Sequence, residues 1–153
     1  IQNTSILGIV GMPYRGAYCA SKFALEGFSN TLRQELRGTG IYVSILAPGP
    51  IRSELRHKAH LKYQETIAQR DSIHQKLYRS MEKYFFAPPE NKRPFTQGPE
   101  AVVKKLIAAL ESQHPKAHYY IGFPAYLFVF LRSILPDSLL DWAMNKVIEG
   151  EKK

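Results

Sequence analysis

The chain has 153 residues, 44% of them apolar and 22% charged. That is enough apolar material for one domain with a real core, and it excludes a disordered chain. The formal net charge of +8 attracts anions, and the single cysteine, Cys19, excludes an internal disulfide framework and suits a reducing compartment, the cytoplasm.

Residues 1–5, Ile-Gln-Asn-Thr-Ser, read as the end of a strand, and the glycine-rich LGIVGMPYRG after it reads as a loop. Residues 17–37 read as a long helix. Ala20, Ala24, Phe28, Leu32 and Leu36, with Phe23, Gly27 and Thr31 beside them, recur at helical spacing and mark an apolar stripe. Gly38 and Gly40 stop this helix just after Arg37. The run IYVSILA, residues 41–47, is almost continuously apolar, as in a parallel strand buried on both faces. Strand, helix and strand make one βαβ unit with a right-handed crossover.

Residues 53–87 are polar, basic and aromatic with a weak helical period, and are read as two helices. Pro88, Pro89, Pro94 and Pro99 make residues 88–99 a loop. A helix follows over 100–113, with Glu100 in its first turn and Val103, Ile107 and Leu110 along one face. Residues 117–121 read as a short strand, and two apolar helices over 124–135 and 137–148 flank Pro136. The apolar run 124–135 is too short to span a membrane, which takes ~20 residues. Packing against the body or a partner subunit is favoured over lying flat on a bilayer.

Ten of the 21 basic residues fall between Arg52 and Arg93, interleaved with acids and aromatics. The pattern fits a solvated helical face, or a mouth that draws in an anionic cofactor, better than a nucleic-acid surface. The five histidines, His57, His60, His74, His114 and His118, are scattered and read as solvated face residues, with no ligand set for a metal.

AYCASK, residues 17–22, sets Tyr18 and Lys22 four apart, so both fall on one helical face with only small residues between them. A phenol has a reference pKa of ~10. A nearby ammonium favours the phenolate, and the pair becomes a general acid/base for a carbonyl or an alcohol. Ser5, thirteen residues upstream, stands at a strand end, where ligands bind in open α/β sheets. Its hydroxyl either bonds the oxygen that Tyr18 protonates or caps a turn. Pro48-Gly49-Pro50-Ile51-Arg52-Ser53 follows the next strand, where turn amides and the Ser53 hydroxyl can face a ligand.

In this order and spacing the features resemble the short-chain dehydrogenase/reductase family. Asn3-Thr4-Ser5, with Gly8 in register, is similar to the family's Asn-x-Ser-Ser-x-x-Gly segment, with Thr4 in place of the first serine. Tyr18-x-x-x-Lys22 matches the active-site motif, and Pro48-Gly49 the loop at the nicotinamide. Ser53 stands where the family often has Thr. The resemblance implies the C-terminal part of a doubly wound, Rossmann-like parallel sheet. It implies an NAD(P)-dependent oxidoreductase in which Tyr18 is the acid/base. Lys22 lowers the phenol pKa and bonds the nicotinamide ribose, and Ser5 polarises the substrate oxygen. Pro48, Gly49, Ile51 and Ser53 line the cofactor together with Tyr18 and Lys22. NADP or NAD is the cofactor, a small-molecule alcohol or ketone the substrate, and a homo-oligomer through helix 17–37 the expected assembly.

The tail from PEAVVKKLIAALES onward resembles hydroxysteroid- and retinol-dehydrogenase-like bacterial members. Tyr63, Tyr78, Tyr84, Phe85 and Phe86 either line a lipophilic substrate pocket under a lid or belong to the core. The family's Gly-x-x-x-Gly-x-Gly turn does not occur in these 153 residues. The chain is therefore expected to be part of a longer protein and to bind dinucleotide weakly alone. It is read as one partial domain over 1–153: active-site elements in 1–53, lid in 54–99, helix and last strand in 100–123, terminal helices in 124–153. Nucleotide-sugar epimerases share Tyr-x-x-x-Lys, but the Pro-Gly-Pro-Ile turn and the terminal helices argue against them. The remaining alternatives are a non-catalytic basic protein that binds RNA or an anionic membrane, and an inactive fragment.

Overall fold

The computed structural model describes residues 1–85 and 95–151. Among these, three short parallel strands lie in the order β1 (Gln2–Asn3), β2 (Ile45–Pro48), β3 (His118–Ile121). The register pairs Gln2 with Ile45 and Ile45 with His118, then runs in step to Pro48 and Ile121. Side chains alternate along a strand, so Gln2, Thr4, Ile45, Ala47, His118 and Tyr120 share one face of the sheet. Ile45 and Ala47 are almost wholly buried, as the continuous apolarity of this strand requires.

Helix α1 spans Gly16–Glu35 and returns the chain from β1 to β2. After Glu35 the backbone tightens, with Arg37 N–H donating to Gln34 O, and Gly38 and Gly40 take φ of +85° and +81°. Those left-handed turns suit glycine, which has no Cβ to clash. The ladder begins later than the apolar run suggests. Ile41 and Tyr42 remain 60% and 54% exposed, and Tyr42 turns to His114 instead.

Two helices form in the polar stretch, α2 (Leu55–Thr66) and α3 (Gln75–Phe85). Helix α2 buries no residue, and His60 joins it to Glu82 of α3 at 2.8 Å. Phe86 and the prolines at 88, 89 and 94 lie outside the described residues, as do the side chains of Tyr84 and Phe85.

Helix α4 (Glu100–Leu110) packs on β2 and β3. Its inward face is Val102, Leu106 and Ala109, and the apolar face of Val103, Ile107 and Leu110 stays 46–66% exposed. Gly122, at φ +85°, turns β3 directly into α5 (Phe123–Ile134). Helix α6 (Asp137–Glu151) follows Pro136, and Arg132 pairs with Asp137 across the turn. Leu140, Met144 and Ile148 sit one turn apart on α6 and are buried, each worth roughly 1.5–3 kcal/mol on transfer from water. The main apolar cluster joins Leu140 and Met144 to Ile6, Leu7, Val10, Cys19 and Ala125.

The buried face of α1 is not the predicted apolar stripe. Cys19, Glu26 and Ser29 are buried, whereas Phe23 and Phe28 are 44% and 59% exposed. Close approach explains this. Ser29 is fully buried and turns its hydroxyl to Leu25 O, and Gly8 lies directly against the backbone of Lys22. A bulky phenylalanine has no room on that side.

Candidate active site

After β1, Thr4 N–H still donates to Leu46 O at 2.8 Å, so the strand direction carries on to the buried Ser5. Ser5 is extended, and its Oγ accepts from Leu7 N–H at 3.2 Å, capping a 3-10 turn over Ile6–Gly8. The capping role foreseen as one alternative for Ser5 is therefore real. It leaves the hydroxyl hydrogen free to serve another acceptor.

Tyr18 and Lys22 lie on successive turns of α1. Tyr18 is half-buried against the apolar cluster, and Lys22 Nζ stands 5.8 Å from its ring centroid. The same ammonium donates to the Asn3 carbonyl at 3.1 Å, two residues before Ser5. Lys22 thus ties the first half of α1 to the end of β1, and the segment carrying Ser5 starts where that tie is made.

The Pro48–Ser53 segment is held from within the protein. Pro48 closes β2, and Gly49 N–H donates to Ile121 O at 2.8 Å. A Cβ on Gly49 would meet Ile121 O at 3.3 Å, so the glycine permits close strand packing. Ile51 pairs with Gln97 as an isolated bridge: Gln97 N–H donates to Pro50 O and Arg52 N–H to Gln97 O. The amides of Gly49 and Arg52 are thereby committed to the protein. The exposed Ser53 hydroxyl accepts a long bond from Leu55 N–H, at 3.4 Å.

Sequence reasoning passed over a buried polar group beside this site. Glu26, one turn beyond Lys22 on α1, is 6% exposed. Thr4 Oγ1 donates to its Oε1 at 2.6 Å, and His118 Nε2 shares a hydrogen bond with its Oε2 at 3.1 Å. His118 stacks on Tyr120, with centroids 5.8 Å apart and planes at 18°. Burial first, then the neighbouring Glu26 and Tyr126, push the Tyr120 phenol above its ordinary value. His60 and His118 are thus bonded to carboxyl groups, a correction to their reading as solvated. A glutamate four residues from the lysine, with a β-strand histidine far along the chain, leaves only a faint mark in sequence. The pairing exists once β1, α1 and β3 meet.

A cavity of about 350 Å³ lies between the loop at Ile9–Gly11, Phe23, Arg132 and α6, and neither Ser5, Tyr18 nor Lys22 lines it. Among the described residues, no three His, Cys, Asp or Glu side chains converge as metal ligands, and no helix is long and apolar enough to cross a membrane.

The family model for short chain dehydrogenases matches residues 1–64, the stretch that holds Ser5, Tyr18, Lys22, Gly49 and Ser53. The uncharacterized oxidoreductase YbbO of Escherichia coli is 33% identical over 98% of this chain and 48% of its own length. The probable short-chain type dehydrogenase/reductase VdlC of Helicobacter pylori is 33% identical over 98% of the chain and 52% of its own length. Human 17-beta-hydroxysteroid dehydrogenase type 1 is 31% identical over 76% and 34%. The chain spans about half the length of the first two relatives.

Proposed function

Because the chain belongs to the short-chain dehydrogenase/reductase family, we propose that it carries the acid–base part of an NAD(P)-dependent oxidoreductase acting on an alcohol or ketone. Tyr18 Oη gives a proton to the carbonyl oxygen in reduction and takes it from the alcohol in oxidation. Ser5 Oγ donates a hydrogen bond to the same oxygen and holds it in place. Lys22 keeps its ammonium beside the phenol and steadies the charge that develops there. The bound nicotinamide, of NADP or NAD, supplies or accepts the hydride.

The donor set fits the nicotinamide–ribose end of such a cofactor. An ammonium has three hydrogens, and the bond to Asn3 O uses one, which leaves donors for ribose hydroxyls. Ser53 presents a hydroxyl at the surface beyond β2, and Pro48, Gly49 and Ile51 shape the turn that carries it. No glycine-rich diphosphate turn occurs in these residues, so we assign the diphosphate to other parts of the full-length enzyme. Among relatives, one named for a hydroxysteroid supports a lipophilic substrate. The outward apolar residues of the α2–α3 region, Leu55, Leu61 and Ile73, support it too. The cytoplasm is the proposed location. The apolar stripe left exposed on α1 supports a homo-oligomer through that helix.

The observation that carries the reading is the position of Lys22 Nζ, 5.8 Å from the Tyr18 ring and bonded to the strand end that leads to Ser5. Tyr18→Phe in the full-length enzyme removes only the transferable proton. Turnover of a secondary alcohol with NADP or NAD is expected to fall by about 10²–10⁴-fold. Undiminished turnover in a folded Y18F protein overturns the assignment.

A further inference from the structure

We propose that Glu26 is a positioning residue for the Tyr18–Lys22 pair, acting through a buried clamp with Thr4 and His118; this rests on the acid–base reading above. Tyr18, Lys22 and Glu26 fall at successive turns of one α1 face. Both Glu26 oxygens are taken: Oε1 by the Thr4 hydroxyl at 2.6 Å and Oε2 by His118 at 3.1 Å. Thr4 Oγ1 also lies 3.1 Å from Leu46 O, so the clamp reaches β1, β2 and β3 from a single helix position.

The placement is what links the clamp to chemistry. Thr4 separates Asn3, whose carbonyl accepts from Lys22, and Ser5. Gly8 presses from the same side. A Cβ there would stand 2.9 Å from Lys22 O and 3.0 Å from Glu26 Cγ, so helix and turn touch at these two residues. A carboxyl group with both oxygens engaged, at 6% exposure, is costly to bury and is held only where its partners are fixed. A slide of α1 along the sheet breaks the Thr4 and His118 bonds together with the Lys22–Asn3 bond. Glu26 therefore sets how far the phenol and ammonium reach toward Ser5, without touching substrate or cofactor itself.

The test uses Glu26→Ala and Glu26→Gln, with Tyr18→Phe as the reference for chemistry. In the full-length enzyme E26A is expected to lower kcat about tenfold or more with substrate KM nearly unchanged, since small misplacements of reacting groups weigh on rate. E26Q keeps an acceptor for Thr4 and is expected to recover much of that loss. Unchanged kcat in folded E26A, beside a Y18F that is inactive, overturns the positioning role and leaves the acid–base reading standing. An active Y18F overturns the acid–base reading on which the inference rests. A second measurement does not depend on turnover. Proton NOEs between the Lys22 side chain and the Asn3–Thr4 backbone are expected in the wild-type chain, where the ammonium bonds Asn3 O at 3.1 Å, and lost in E26A, while far-UV circular dichroism keeps its helix signal. NOEs that persist in E26A overturn the inference.

Discussion

At Gly8 a methyl group would stand 2.9 Å from the Lys22 carbonyl oxygen, which is backbone and cannot swing aside. Gly8→Ala is therefore expected to destabilise the protein by about 1–3 kcal/mol, as over-packed sites do, and to push α1 away from the 3-10 turn. A thermal melt reads the first effect, and an unchanged Tm sinks the prediction. The residue was legible in sequence as part of a motif register, but its reason was not. Nothing near Gly8 in the chain says that Lys22 and Glu26 will lie against it. The same holds for Glu26. Its neighbours in sequence are Leu25 and Gly27, and its bonding partners are Thr4 and His118, 22 and 92 residues away.

At the scale of elements, the helical period located α1 and α4 well, but the period alone does not say which face meets the sheet. On α1 the apolar stripe of Ala20, Ala24 and Phe28 turns outward, and the buried face holds Cys19, Glu26 and Ser29. The side against β1 must be thin and must carry Lys22, so small and polar residues take it. A stripe with Phe23 and Phe28 at 44% and 59% exposure asks for a cover. A second copy of this chain is the occupant proposed for it. Phe28→Glu is expected to shift the protein toward monomer in sedimentation velocity runs over a range of concentrations. A wild-type protein that sediments as a monomer throughout counts against the assembly. On α4, Val102, Leu106 and the buried Ala109 face β2 and β3, and Val103, Ile107 and Leu110 face outward.

For the whole molecule, the β3 aromatics set a limit on alkaline stability. Burial above all, with Glu26 and Tyr126, raises the Tyr120 phenol from 10.0. Tyr63 shifts the same way, by burial, Glu82 and Tyr78 against Arg79. Below the ordinary value both folded and unfolded chains keep the proton, so the contribution is constant. Above it the unfolded chain ionises first and binds fewer protons, so stability falls until the folded phenol ionises too. Tyr120→Phe is expected to make the loss of urea stability above about pH 10 shallower, with Tyr63 supplying a remaining slope. An unchanged slope refutes this. The order of strand, loop, helix and strand, the spacing of Ser5, Tyr18 and Lys22, and the family they point to were all readable along the chain. Local period, turn residues and short-range spacing are properties of neighbouring residues. Which helix face is buried, that the Gly49 amide serves β3, and that Thr4, Glu26 and His118 meet were decided only by the packed sheet. Those outcomes depend on close approach between segments that the linear order keeps far apart.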